Sequence, residues 1–184
     1  MHASSFAIAA HGDQLYGTLP YAAHLAEVVS ILMNEMVVGE YSALIDAGWL
    51  HDVVEDTKTH AYAIEANFGS RVGDIVKLLT DPDLPTRSER KAEFCRRMGG
   101  ITVETRDVIR CEALTVKTAD RVANIRAGVR ESNVKKLEMY VAEHGSFIDL
   151  FTSGFSCYEN GPVARRLYTE AIASALTHLA LLDT

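Results

Sequence analysis

Apolar residues recur along this chain with the period of an α-helix. In "PYAAHLAEVVSILMNEM", Leu25, Val28, Val29, Leu32 and Met36 fall on one stripe. Pro20 opens that segment, where its missing N–H is harmless. The same reading predicts helices over about Glu40 to His51, about His60 to Phe68 ahead of Gly69, and Arg71 to about Thr80. "DPDLPTR" reads as a loop from its prolines and aspartates. Further helices are expected over about Ser88 to Met98, Val103 to Val129, Val134 to Phe151 and Pro162 to Leu182, with "MGG" and "TSGF" separating some of them. Strand-like alternation is nearly absent, and no linker, repeat or low-complexity tract stands out. The pattern predicts one all-α domain over residues 1–184.

Composition agrees with that picture. A chain of 184 residues suits a single domain, and at that size roughly 70% of the unfolded surface is buried, so the core needs no staples. Hydrophobic residues make up 48% and charged residues 23%, an ordinary globular balance. No apolar run approaches the roughly 20 residues of a membrane span, and "MHASSFAIAAHGDQ" lacks the basic start and apolar core of a signal peptide. Cys95, Cys111 and Cys157 are widely spaced with no C-x-x-C, which argues for a reducing, cytoplasmic setting. The net charge of -7 argues against nucleic acid as a partner. A small anionic ligand stays open, because a pocket can be locally basic in an acidic protein. Nothing points to a membrane or to an obligate protein partner.

One stretch breaks the apolar logic. "GWLHDVVEDT" places His51, Asp52, Glu55 and Asp56 directly after "ALIDAGWL", a run built to be buried. Buried charge without a partner costs several kcal/mol, so these side chains need a counterion. His51 and Asp52 are adjacent and converge only if the helix ends there. His24, one residue before Leu25 of the first stripe, and Asp120, within the apolar "LTVKTADRVANI", complete a two-His, two-carboxylate set. Such a set suits Mn²⁺, Fe²⁺ or Zn²⁺. Each residue also has an ordinary reading. His24 can be a hydrogen-bonded core histidine, Asp120 a surface ion pair with Arg121, and Glu55 with Asp56 the start of the next helix. His2, His11, His60, His144 and His178 lack comparable context and read as structural or solvated.

Taken together, "YGTLPYAAHL" (16–25), "AGWLHDVVEDT" (47–57), "FGSRVGDIVKLLTD" (68–81) and "VKTADRVANIR" (116–126) resemble the HD-domain metal-dependent phosphohydrolases. The likeness is strongest to the hydrolase domain of RelA/SpoT-like alarmone enzymes and to small alarmone hydrolases. It extends over about residues 5 to 150 and implies an HD-type helical bundle. It also implies that His24, His51, Asp52 and Asp120 ligate Mn²⁺, the family's usual ion, and that Glu55 and Asp56 form the acid–base pair. Asn124, Lys136 and Tyr140 fall on the substrate-binding positions. Arg87, with Arg90 and Lys91 behind it, falls in the basic loop. The loop before the "PY" helix departs from the pattern: "HGDQLYG" carries Asp13 and Gln14 where relatives often have Arg or Lys. Base recognition is therefore expected to differ in detail, with Tyr16 available to stack on a purine.

The function implied is hydrolysis of the 3′-pyrophosphate of alarmone nucleotides: (p)ppGpp to GDP or GTP and pyrophosphate, with the adenosine counterpart (p)ppApp as a further substrate. A general HD-type 5′-nucleotidase and a non-catalytic, antitoxin-like nucleotide-binding module are the alternatives. The first has no need of the "VVEDT" extension, and the second has no use for an acid–base pair.

Overall fold

The computed structural model describes residues 1–36, 42–102, 107–151, 155–156 and 158–182. Helix α1 (Ala3–His11) leads through a short antiparallel hairpin, β1 (Leu15–Tyr16) with β2 (Leu19–Pro20), into α2 (Tyr21–Asn34). Helices α3 (Ser42–Leu50), α4 (Val53–Asp56), α5 (Ala61–Phe68), α6 (Ser70–Leu79) and α7 (Arg87–Met98) follow. The long α8 (Val108–Arg130) precedes α9 (Val134–Ala142), α10 (His144–Ile148), a 3-10 turn over Asp149–Phe151, and α11 (Gly161–Leu182). The fold is all-α, as the periodicity predicts.

Helix α8 is the axis of the bundle. It packs against α2, α3, α6, α9 and α11, and every residue from Cys111 to Ala123 is buried. A helix covered on all sides should be apolar throughout, yet Glu112, Lys117, Asp120 and Arg121 are buried on it. Each is partnered. Arg71 donates from Nε to Glu112 Oε2 at 3.0 Å, Lys117 Nζ lies 3.0 Å from Asp120 Oδ2, and Arg121 donates to Glu143 Oε2 at 2.9 Å. The ordinary reading of Asp120 and Arg121 as a surface pair is therefore wrong: both are buried, and Arg121 pairs with Glu143.

Helix α3 approaches α2 closely at Gly48. A Cβ there would lie 2.8 Å from Leu32 Cδ1 and 3.1 Å from Val29 Cγ2. That approach brings the end of α3 beside the middle of α2, and α7 starts on a capping box between Thr86 and Glu89.

Three expectations differ from the structure. Helix α1 was not foreseen, and neither was the two-residue hairpin. The single helix expected over 134–151 is broken after Ala142. Gly145 weakens the segment, and the Ser146 hydroxyl donates to the Glu143 carbonyl at 3.2 Å, competing with the helical pattern. Helix starts expected at Glu40 and Val103, the separator at 152–154, and Cys157 lie outside the described residues. Cys95 and Cys111 are free thiols. Among the described residues no helix is long and apolar enough to cross a membrane.

Candidate active site

The end of α3 decides the local geometry. The helix stops at Leu50, so His51 and Asp52 lie in a turn and both point to the same space, despite being sequence neighbours. The His51 Nδ1–H donates to the Gly48 carbonyl at 2.9 Å, a carbonyl being only an acceptor. In the neutral ring Nε2 is then a bare lone pair. It lies 3.0 Å from Asp52 Oδ2 and 3.8 Å from Asp120 Oδ1. From α2, His24 Nε2 lies 3.3 Å from Asp120 Oδ1 and 3.8 Å from Asp52 Oδ2. His24, His51, Asp52 and Asp120 thus converge on one space from three separate parts of the chain, with the His24, His51 and Asp52 donors within 4.8 Å of one another and Asp120 joining through the two histidines.

This cluster is built for a cation. His51 Nε2 is buried with no hydrogen-bond partner, facing two carboxylates that also only accept. A cation between them relieves the repulsion, and without one a proton must. Burial pulls the His51 pKa down, but Asp52 and Asp120 more than reverse that and push it up to about 10. Burial likewise opposes ionisation of Asp52 and Asp120. The His51 ring holds the Asp52 carboxyl low, and the Lys117 ammonium does the same for Asp120. Donors on two histidines and a carboxylate group tightly enough to hold one metal ion, and the mixed N/O set fits a divalent first-row ion. Tyr21 donates to Asp52 Oδ2 at 2.6 Å, orienting the carboxylate in the manner of an outer-shell partner.

His24, Asp52 and Asp120 of the cluster line a cleft of about 190 Å³, with His51 buried behind them. Glu55 and Asp56, at the end of the single-turn α4, stand at its rim and are exposed. Although its tip meets solvent, Glu55 has its pKa raised, first by desolvation against the wall and then by the nearby Asp81 charge. Glu55 also accepts from the Asp81 backbone N–H at 3.1 Å. The cleft is also lined by the cations Arg87, Arg90, Lys91 and Arg121. Two carboxylates serve these four cations: Lys91 and Arg90 face Asp81 at 2.9 and 3.6 Å, and Arg87 and Arg121 share Glu143 at 2.6 and 2.9 Å, which leaves positive charge over for an anionic ligand. Lys117 matches Asp120. Among the described ion pairs Asp52 faces only histidines, and Glu55 and Asp56 face no lysine or arginine, which favours a bound cation on their side.

Asn124 and Tyr140 line the same cleft. Asn124 donates from Nδ2 to Asp120 Oδ1 at 2.5 Å and accepts from the Tyr16 hydroxyl at 2.7 Å. Lys136, one turn before Tyr140, does not line it. Its ammonium is held by the Tyr16 hydroxyl and lies 4.4 Å over the Tyr16 ring. Tyr16 itself stacks on the His24 imidazole, at 4.6 Å and 14° between planes. Sequence reasoning missed Tyr21, Asp81, Lys117 and Arg121 in the wall. Lys117 was findable, since a lysine in "LTVKTAD" needs a reason as much as Asp120 does. Asp81 gave no signal beyond that of a turn residue.

Comparison with known proteins adds three observations. The profile of a family described as HD domain matches residues 3–143. A probable guanosine-3′,5′-bis(diphosphate) 3′-pyrophosphohydrolase from Synechocystis sp. is 36% identical over 110 residues, 58% of this chain and 13% of that protein. The guanosine-3′,5′-bis(diphosphate) 3′-pyrophosphohydrolase MESH1 of Drosophila melanogaster is 33% identical over 107 residues, 58% of this chain and 55% of that one. The chain thus spans only part of the length of these curated relatives. The solved structure of a metazoan ortholog of SpoT, described as hydrolysing ppGpp, superposes with a TM-score of 0.71 at 23% identity, over 93% of this chain and 92% of that one. It has the same fold.

Proposed function

The chain belongs to the HD-domain family, and on that premise we propose that it is a Mn²⁺-dependent 3′-pyrophosphohydrolase of alarmone nucleotides, acting on (p)ppGpp and also on (p)ppApp. The observation that carries this reading is the convergence of His24, His51, Asp52 and Asp120 beside a cleft lined by Glu55, Asp56 and the cations Arg87, Arg90, Lys91 and Arg121. The curated relatives named for ppGpp 3′-pyrophosphohydrolysis support the substrate.

In this reading the four residues would hold the ion, which supplies Lewis-acid charge against the phosphoryl oxygens when bound. Glu55 and Asp56 orient water on the phosphorus attached to the 3′ oxygen. They take one of its protons and return a proton to the 3′ oxygen as that O–P bond breaks, releasing pyrophosphate and GDP or GTP. Desolvation raises the Glu55 pKa above that of an ordinary glutamate, which makes it the better proton carrier of the pair. Arg87, Arg90 and Lys91 meet the phosphates, trading carboxylate partners for phosphate ones, so their positions are set in advance. Tyr140 and Asn124 border the sugar, with Lys136 reaching it past Tyr16. The protein acts without nucleic acid, membrane or obligate protein partner, in the cytoplasm.

Purified protein with Mn²⁺ should convert ppGpp to GDP and pyrophosphate, resolved by ion-exchange chromatography. With Asp13 and Gln14 where relatives often carry cations, discrimination between the bases should be modest, and kcat/KM for ppGpp and ppApp should agree within about 100-fold. Release of inorganic phosphate from 5′-monophosphates, with ppGpp untouched, would support the 5′-nucleotidase alternative. Tight nucleotide binding with no turnover would support the sequestering one.

A further inference from the structure

We propose that Gln14 is a positioning residue for Asp56, and that His11 locks Gln14 in the orientation this requires. The inference rests on the assignment of Asp56 to the acid–base pair. Three side chains form a chain of hydrogen bonds into the cleft. Gln14 Nε2 donates to Asp56 Oδ2 at 3.2 Å, and His11 Nδ1 lies 2.8 Å from Gln14 Oε1.

The donor roles along this chain are forced. An ionised carboxylate only accepts, so the NH₂ end of the Gln14 amide must face Asp56. Oε1 then faces His11, and because that oxygen only accepts, the His11 Nδ1 must carry a proton. The His11 Nε2 is accordingly the bare nitrogen, and it is buried with no partner. One orientation of Gln14 and one tautomer of His11 satisfy all three groups: flipping the Gln14 amide breaks both bonds, and the other His11 tautomer breaks the one to Gln14.

The backbone holds the chain equally firmly. The Gln14 N–H donates to the His11 carbonyl at 3.0 Å, and the Gln14 carbonyl accepts from the Tyr21 N–H at 2.9 Å. His11 is buried at the end of α1 and stacks on Tyr21 at 4.3 Å and 12°. Tyr21 in turn donates to Asp52. The segment from α1 to α2 therefore aims two carboxylates of α4 and its N-terminal flank: Asp52 through Tyr21, and Asp56 through Gln14. Asp56 needs this, because it is exposed at the end of a single-turn helix that cannot restrict its rotamer alone. Gln14 contacts the acid–base pair.

Gln14→Leu removes the amide at similar size. It should lower kcat for ppGpp about tenfold, the scale of one hydrogen bond to a charged group, while KM, Mn²⁺ content and melting temperature stay near wild type. His11→Phe keeps the stack on Tyr21 but deletes the donor, and should lower kcat in the same direction by a smaller factor. In an Asp56→Asn background Gln14→Leu should cause no further loss, because its effect passes through Asp56. A rise in KM alone, or a full additional tenfold loss in that background, would overturn the proposal. A second arm needs no turnover. In ¹⁵N spectra of the full chain, the His11 Nδ1–H and Gln14 side-chain NH₂ signals should both shift on Asp56→Asn. Unchanged signals refute the chain of bonds, whereas shifted signals in a wild type inert toward ppGpp refute the proposed function and leave the chain of bonds standing.

Discussion

Glu55 and Asp56 are neighbours in sequence but not in surroundings. Asp56 accepts an amide N–H from Gln14, whereas Glu55 sits against Asp81 with its pKa raised. Glu55→Gln keeps the shape and removes the proton-carrying oxygen. Bound Mn²⁺ should remain stoichiometric while kcat falls at least about 100-fold, measured by metal analysis beside steady-state kinetics. A rise in KM with kcat intact would make Glu55 a substrate contact instead. Asp120 was legible because a carboxylate in an apolar helix demands a partner. Arg121 was not, because its partners Glu143 and Tyr168 lie 22 and 47 residues away. Gln14 was legible only as a missing cation, since an amide carries no charge signature in a sequence.

Among elements, the meeting of α2 and α3 sets the site, since His24 rides on one and His51 follows the other. Gly48 lets them touch. Gly48→Ala gains helix propensity of about 1 kcal/mol, but its methyl would overlap Leu32 and Val29, both in the packed core. Overpacking costs about 1–3 kcal/mol, and the Gly48 carbonyl that orients His51 moves with the backbone. The melting temperature without added metal should drop by several degrees, at about 2–4 °C per kcal/mol for this size. An unchanged or higher value would show that α3 is free to back away. Long amphipathic elements such as α2 and α6 were readable from their stripes. Helix α1 was not: "ASSFAIAAH" buries only Ala3, Ala7 and His11 and has no side-chain cap, so its order comes from packing on α2, α3 and α4. The break between α9 and α10 escaped detection because Glu143, whose side chain serves Arg87 and Arg121, reads as an ordinary helix residue.

For the whole molecule, a metal held as proposed by α2, the turn after α3, and α8 would tie together segments far apart in the chain. A ligand that binds only the folded state adds about 2.7 kcal/mol at a hundredfold excess over Kd, so Mn²⁺ should raise the melting temperature by about 5–10 °C. The increment should vanish in Asp120→Ala, and a scanning calorimeter with chelated and Mn²⁺-loaded samples reads it directly. Equal stabilisation of that variant would place the ion elsewhere. The buried Arg121 carries the last consequence. Its guanidinium lies 4.4 Å from the Phe147 ring and donates to the Tyr168 hydroxyl of α11 at 3.4 Å, while the family match stops at residue 143. A recombinant fragment trimmed to that match would leave this arginine facing water where an aromatic lining had been. It would also strip the apolar flank of α8, and with Arg121 adrift, Glu143 would lose the anchor that fixes Arg87. The smallest piece of this protein worth expressing for crystallisation or assay therefore includes α11, well past the segment that sequence comparison delimits.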